Sequence, residues 1–218
     1  MKKLILTLMV IAFGFYSSAQ SVLQTEIDKN IPAMINAQTT TDFDIIFNNI
    51  SKLRGNNREI YYYSALALMK KIQILQAENK LSLGEGDNYI AEKYALSSYN
   101  IGSTAIETEI LLGFIHLERL LLNPKNAAAE KAIIDSYIEK AKKLDRNHPR
   151  LLLLQGEVAY FIPENLGGDK QKAIEFFQAS VKSFKANKKQ ALGWNWGQSD
   201  AENYLNRHLN AITSNQIH

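Results

Sequence analysis

Apolar residues recur three and four positions apart along almost the whole chain, the spacing of one helix face. Val22, Leu23, Ile27, Ile31, Met34 and Ile35 predict a helix over 21–38, with Pro32 kinking it or splitting it in two. Phe43 to Leu53 follows, capped by Thr41 or Asp42 and ended by Gly55. Arg58 to Gln76 is long and periodic through Tyr62, Ala65, Leu66, Met69, Ile72 and Leu75. Leu83 to Gly86 reads as a turn, with Asp87 capping a helix over Tyr89 to Ile101. Gly102-Ser103-Thr104 breaks the chain, and Glu107 stands at capping-box distance from Thr104. Helices then span Ile106 to Leu122, Ala127 to Leu144, Arg150 to Phe161 and Lys170 to Lys185, the last opened by the Gly167-Gly168-Asp169 turn. Ser199, with Glu202 three residues on, caps a final helix to Ile212 after a loop over 193–197. No stretch alternates apolar and polar residues between hairpin turns, so no strand is expected. The reading is an all-α stack of about nine helices.

Two of these helix pairs share a register. Ile134, Ile138 and Ala141 in one second helix lie 39 residues before Ala173, Phe177 and Ser180 in the next, and Gly113 lies 43 before Gly156. A small residue on a first helix admits a close crossing by the second. A small, large, small series then fills the joint between neighbouring pairs. The pattern resembles the tetratricopeptide repeat: Gly113 and Gly156 at its helix-A glycine, Ala173-x-x-x-Phe177 at its Ala-x3-Phe, Ala141 at its last small position, and Leu144-Asp145 before the turn. Arg146 departs from the usual proline, and extra residues at 123–128 and 163–168 lengthen the period. A weaker copy runs from Tyr61 to Met69 and on through Ala91, Ala95 and Ser98. The resemblance implies antiparallel helix-pair repeats in an α-α superhelix, with degenerate repeats about 58–104, 105–147 and 148–187 and a capping helix over 198–212. The arrangement also looks like small exported bacterial repeat proteins, including the repeat subunit of some solute-uptake systems.

The first residues have another character. Lys2 and Lys3 precede an apolar run from Leu4 to Phe15 and the small residues Ser17, Ser18 and Ala19. This is the plan of a signal peptide over 1–19, and the run is too short to span a bilayer. The expected mature chain, 20–218, is one all-α domain, exported to the periplasm or beyond. Without Lys2 and Lys3, 23 of the 25 basic residues remain against 22 acidic ones. The lysine groups at 140–146 and 182–189 fall at helix C-terminal ends, where cations favour the dipole. Nucleic acid is therefore not an expected partner. The absence of cysteine excludes disulfides, thiol catalysis and cysteine-zinc sites.

Catalytic patterns are not found. His116 lacks a second histidine four residues on, His148 precedes Pro149 in a turn, His208 lies on the last helix, and His218 is terminal. Neither Gly84 to Gly86 nor Gly167 to Lys170 carries the Gly-Lys-Ser/Thr of a phosphate loop, and no serine elbow occurs. Glu107, Glu109, Glu157 and Glu164 read as exposed helix acids. No catalytic residue, metal or cofactor is expected. Tyr61-Tyr62-Tyr63 spans about 200° of a helix, so one ring must leave the core. Trp196 reads as a plug at the end of the stack, whereas Trp194 reads equally as plug or contact residue. In such a superhelix the first helices line a concave face. Carrying over the repeat's inward positions gives Phe114, Leu117, Glu118, Leu153, Glu157 and Tyr160 as the ligand-binding face, with Trp194 beside them. The expected function is non-catalytic binding of a protein, peptide or small ligand. The alternatives are an assembly subunit of an envelope complex, or an enzyme using carboxylates that folding brings together.

Overall fold

The computed structural model describes residues 23–101, 106–186 and 196–215, with side chains through Arg207 in the last stretch. The signal-peptide segment, the Thr104 cap and Trp194 lie outside the described residues, as do His218 and the side chain of His208. Among those described, every regular element is helical. Residues 23–36 form α1. Then come α2 (Thr40–Ser51), α3 (Arg58–Ala77), α4 (Glu85–Ile101), α5 (Ile106–Leu122), α6 (Ala127–Asp145), α7 (Pro149–Phe161), α8 (Lys170–Ala186) and α9 (Gln198–Asn215). No described helix is long and apolar enough to cross a membrane.

Several boundaries differ from the expectation. α1 runs through Pro32 without a break. Thr39, not Thr41 or Asp42, caps α2: its hydroxyl accepts from the Asp42 amide while the Asp42 carboxylate accepts from the Thr39 amide. Leu81–Gly84 is a 3-10 turn that feeds α4 directly, so Asp87 lies inside the helix rather than at its cap. Gln198 already belongs to α9, which makes Ser199 a first-turn residue and not a cap. Asp169 does cap α8, its carboxylate accepting from the Lys172 amide at 3.0 Å. The two extra segments fold as short 3-10 turns, Pro124–Asn126 and Glu164–Leu166.

Consecutive helices pack antiparallel as pairs, and α3, α5, α7 and α9 also touch in succession. The odd helices thus form one layer and the even helices α4, α6 and α8 cover it. The register read from the sequence lies in the joints: Ile134, Ala141, Ala173, Phe177 and Ser180 are all fully buried. The glycines work differently from each other. A β-carbon on Gly156 would sit 2.5 Å from the Phe177 ring, so it admits the second helix of its own pair, as expected. One on Gly113 would sit 2.5 Å from Leu154 on α7 instead. Gly113 therefore serves contact between first helices of successive pairs, not within a pair.

Candidate functional site

The inner layer is unusually polar for a core. α7 reads Pro-Arg-Leu-Leu-Leu-Leu-Gln-Gly-Glu-Val-Ala-Tyr-Phe, apolar around most of its circumference, and such a helix is buried on most sides. Its polar residues are carried inside with it. Arg150 is 0% exposed, and its guanidinium meets the Glu107 carboxylate at 2.5 Å and donates to the Trp196 carbonyl at 3.0 Å. The Trp196 indole N–H donates to the Tyr62 hydroxyl at 3.0 Å, which donates to Glu107 at 3.4 Å. His148 approaches the same carboxylate at 3.2 Å. Burial opposes ionisation of Glu107, but the His148 hydrogen bond and the Arg150 charge together hold its carboxyl below the ordinary value.

This network fastens the C-terminal segment into the inner face. Trp196 meets Phe114 edge-on at 5.7 Å, and Arg150 lies 4.7 Å from the centre of the indole. Gly197 turns the chain there with φ +91, and a β-carbon on it would lie 2.9 Å from Leu153. One turn into α9, Asp200 pairs with Lys70 of α3 at 2.5 Å. Trp196 and α9 therefore lie along the face that the repeat resemblance designates as concave. Phe114, Leu117 and Leu153 are buried beneath them, as is Glu118 on α5. Trp196 is thus a plug, but of the inner face rather than of the stack's end.

An opening of about 310 Å³ remains between α3, α7 and α9. Glu157 and Tyr160 of the expected binding face line it, together with Phe161, Asp200, Tyr204 and Arg207. That volume is at the small end for ligand sites. Three rings form its wall: Tyr160 and Phe161 meet edge-on at 4.8 Å, and Phe161 and Tyr204 at 5.9 Å. Tyr204 also stacks on Phe177 at 4.9 Å. Glu157 is 5% exposed and has no hydrogen-bond partner among the described residues. Desolvation first, and then the Asp200 charge, push its carboxyl up to about 8 against the pull of Lys70. Glu118 lies behind it, with neither carboxylate oxygen hydrogen-bonded. Burial and the Glu157 charge raise Glu118 well above the carboxylate range. Lys70 and the nearby Asn88 side chain offset part of this.

Of the four acids expected to be exposed, Glu107, Glu109 and Glu157 are buried and Glu164 is exposed; Glu118 of the expected binding face is buried too. Phe114, Leu117 and Leu153 pack in the core, while Glu157 and Tyr160 are the described members of the expected set that line the opening. Asp200, Tyr204, Phe161 and Arg207 were not singled out in the sequence. Three of them lie on α9, whose fold-back onto the inner layer has no local signal. His116 is buried, its ring nitrogens 2.7 Å from Glu130 and 3.3 Å from Glu92. It joins α5 to α4 and α6. Among the described residues no cluster of three or more metal-ligating side chains gathers.

The fold and the opening define an all-helical, helix-pair protein with a small lined cavity on its inner layer. No family model and no curated protein sequence matches the chain. Among solved structures, the HusA haemophore from Porphyromonas gingivalis shares the fold, with a TM-score of 0.65 over 82% of this chain and 89% of that one, at 21% identity.

Proposed function

We propose that the chain is an exported, non-catalytic binding protein built from degenerate tetratricopeptide-like helix pairs, and that a small ligand enters the opening between α3, α7 and α9. The observation that carries this is Glu157, buried at the wall of that opening without a hydrogen-bond partner among the described residues. A ligand donor entering there meets a carboxyl already withdrawn from most of the solvent, so it has little water to displace. The filled inner face favours a small ligand over a peptide, because Trp196 and α9 occupy the surface a peptide would cover. The haemophore neighbour makes haemin one probe to test: Tyr160, Phe161 and Tyr204 meet edge-on and so offer ring faces and edges rather than one flat surface, and haemin's carboxylates would meet the acidic wall of Glu157 and Asp200. His116 and His148 are both engaged by carboxylates and neither lines the opening.

Haemin titration followed by its visible absorption tests the proposal. A saturable spectral change, abolished when exposed Asn203 at the opening is replaced (Asn203→Trp), supports it. Protein that leaves haemin unchanged, and carries no small molecule in native mass spectrometry after purification from its own cells, counts against it. A second reading, catalysis by Glu157 and Asp200, has their shared lining of the opening in its favour. Commitment of Asp200 to Lys70 weighs against it.

A further inference from the structure

The two carboxyls that line the opening are not equivalent. Asp200 has its cation, Lys70, at 2.5 Å. Glu157 lies deeper, 5% exposed, with no hydrogen-bond partner among the described residues, and Glu118 behind it has none for either oxygen. Folding has therefore placed two carboxyl groups on adjacent inner helices and supplied one ammonium, which Asp200 takes. Arg207, which also lines the opening, is solvent-exposed and sits two turns along α9 from Asp200. Close to Glu157 the wall is aromatic, with Tyr160 and Phe161 nearly perpendicular at 88° and Phe161 and Tyr204 at 81°. Ring faces of this kind attract organic cations, and the Lys170 ammonium already lies 5.7 Å from the Tyr160 ring centre.

We propose that this opening selects ligands bearing an organic ammonium or guanidinium group, which seats against Glu157 beside the Tyr160, Phe161 and Tyr204 rings. The inference rests on the reading of the opening as a ligand site and names the chemistry it selects. A cation supplies Glu157 with both the charge and the hydrogen-bond donors that the fold withholds. An anion gains no such partner from Glu157 or Glu118, and the Lys70 ammonium is already taken by Asp200. The groups facing Glu157 are Lys70 on α3, Glu118 on α5, Tyr160 on its own helix, and Asp200, Tyr204 and Arg207 on α9. An arriving cation favours ionised Glu157, which in the empty protein keeps its proton up to a pH of about 8. Binding below that pH therefore expels a proton, and affinity falls as pH falls.

The experiment compares 4-phenylbutylamine, 4-phenylbutanol and 4-phenylbutyrate by calorimetry on the full mature chain at pH 8 and pH 6. The amine should bind at least about tenfold more tightly than the other two, a difference one charge-assisted hydrogen bond supplies. It should lose at least about fivefold in affinity at pH 6 and about tenfold in Glu157→Gln. A thermal melt of that variant checks that it is folded. Equal or tighter binding of the alcohol or the acid overturns cation selection. So does amine affinity unchanged in Glu157→Gln. In either case loss of binding in Asn203→Trp keeps the opening as the site. Failure of all three probes also overturns the inference, and binding untouched by Asn203→Trp removes the site itself.

Discussion

Arg150 and Glu157 sit two turns apart on α7, and both are buried, but only Arg150 has its partners. Removing one member of a buried ion pair leaves the other charge stranded, at about 3–5 kcal/mol. Arg150→Met should lower unfolding free energy by that order in a urea titration, and restoring no more than charge with Arg150→Lys should recover only part, because the lysine cannot hold Glu107 and the Trp196 carbonyl at once. Glu157 acts in the opposite direction. Its folded-state proton affinity exceeds that of the unfolded chain, so the folded protein holds more protons between pH 4.5 and about 8, and stability falls as pH rises through that window. Glutamine mimics the protonated form. Glu157→Gln should therefore melt higher than the wild type at pH 8, by at least about 2 °C, with the difference shrinking toward pH 5. None of this was legible from residue types alone, since an arginine opening a leucine run and a glutamate after a glycine read as ordinary helix residues. The one available signal was collective: a helix apolar nearly all round must be buried, and its few polar residues with it.

The helices themselves were legible because their apolar periods are long and their breaks carry glycine, proline or an acid cap. The misplaced starts of α2, α4 and α9 were errors of a few residues at caps, where more than one hydroxyl or carboxylate competes for the same amides. The shared 39-residue register was also legible, because close crossings need small residues at fixed positions. Gly156→Ala tests that crossing. A methyl group 2.5 Å from Phe177 forces α7 and α8 apart, at about 1–3 kcal/mol measured by chemical denaturation. Gly86, whose β-carbon position meets nothing within 4 Å, is the control: Gly86→Ala should be neutral or slightly stabilising. Gly113 gave the same sequence signal as Gly156 but meets a different helix, since periodicity places a small residue on a face without saying which neighbour that face will find.

At the scale of the molecule, helix pairs stacked in order leave an inner face open, and this chain fills it with its own last segment. Trp196 bonds to Tyr62 across 134 residues of sequence, a contact no local pattern announces. Arrays of helix pairs ordinarily hold together through neighbour contacts alone and loosen from their ends. Here the tail is knotted to the first inner helix, so the array has no loose end on that side and should melt in one concerted step. Ending the chain at residue 195 unties the knot. The shortened protein should keep most of its helical signal at low temperature, bind a hydrophobic dye on the bared face, and lose structure gradually on heating, as a zip opens rather than as a lid lifts.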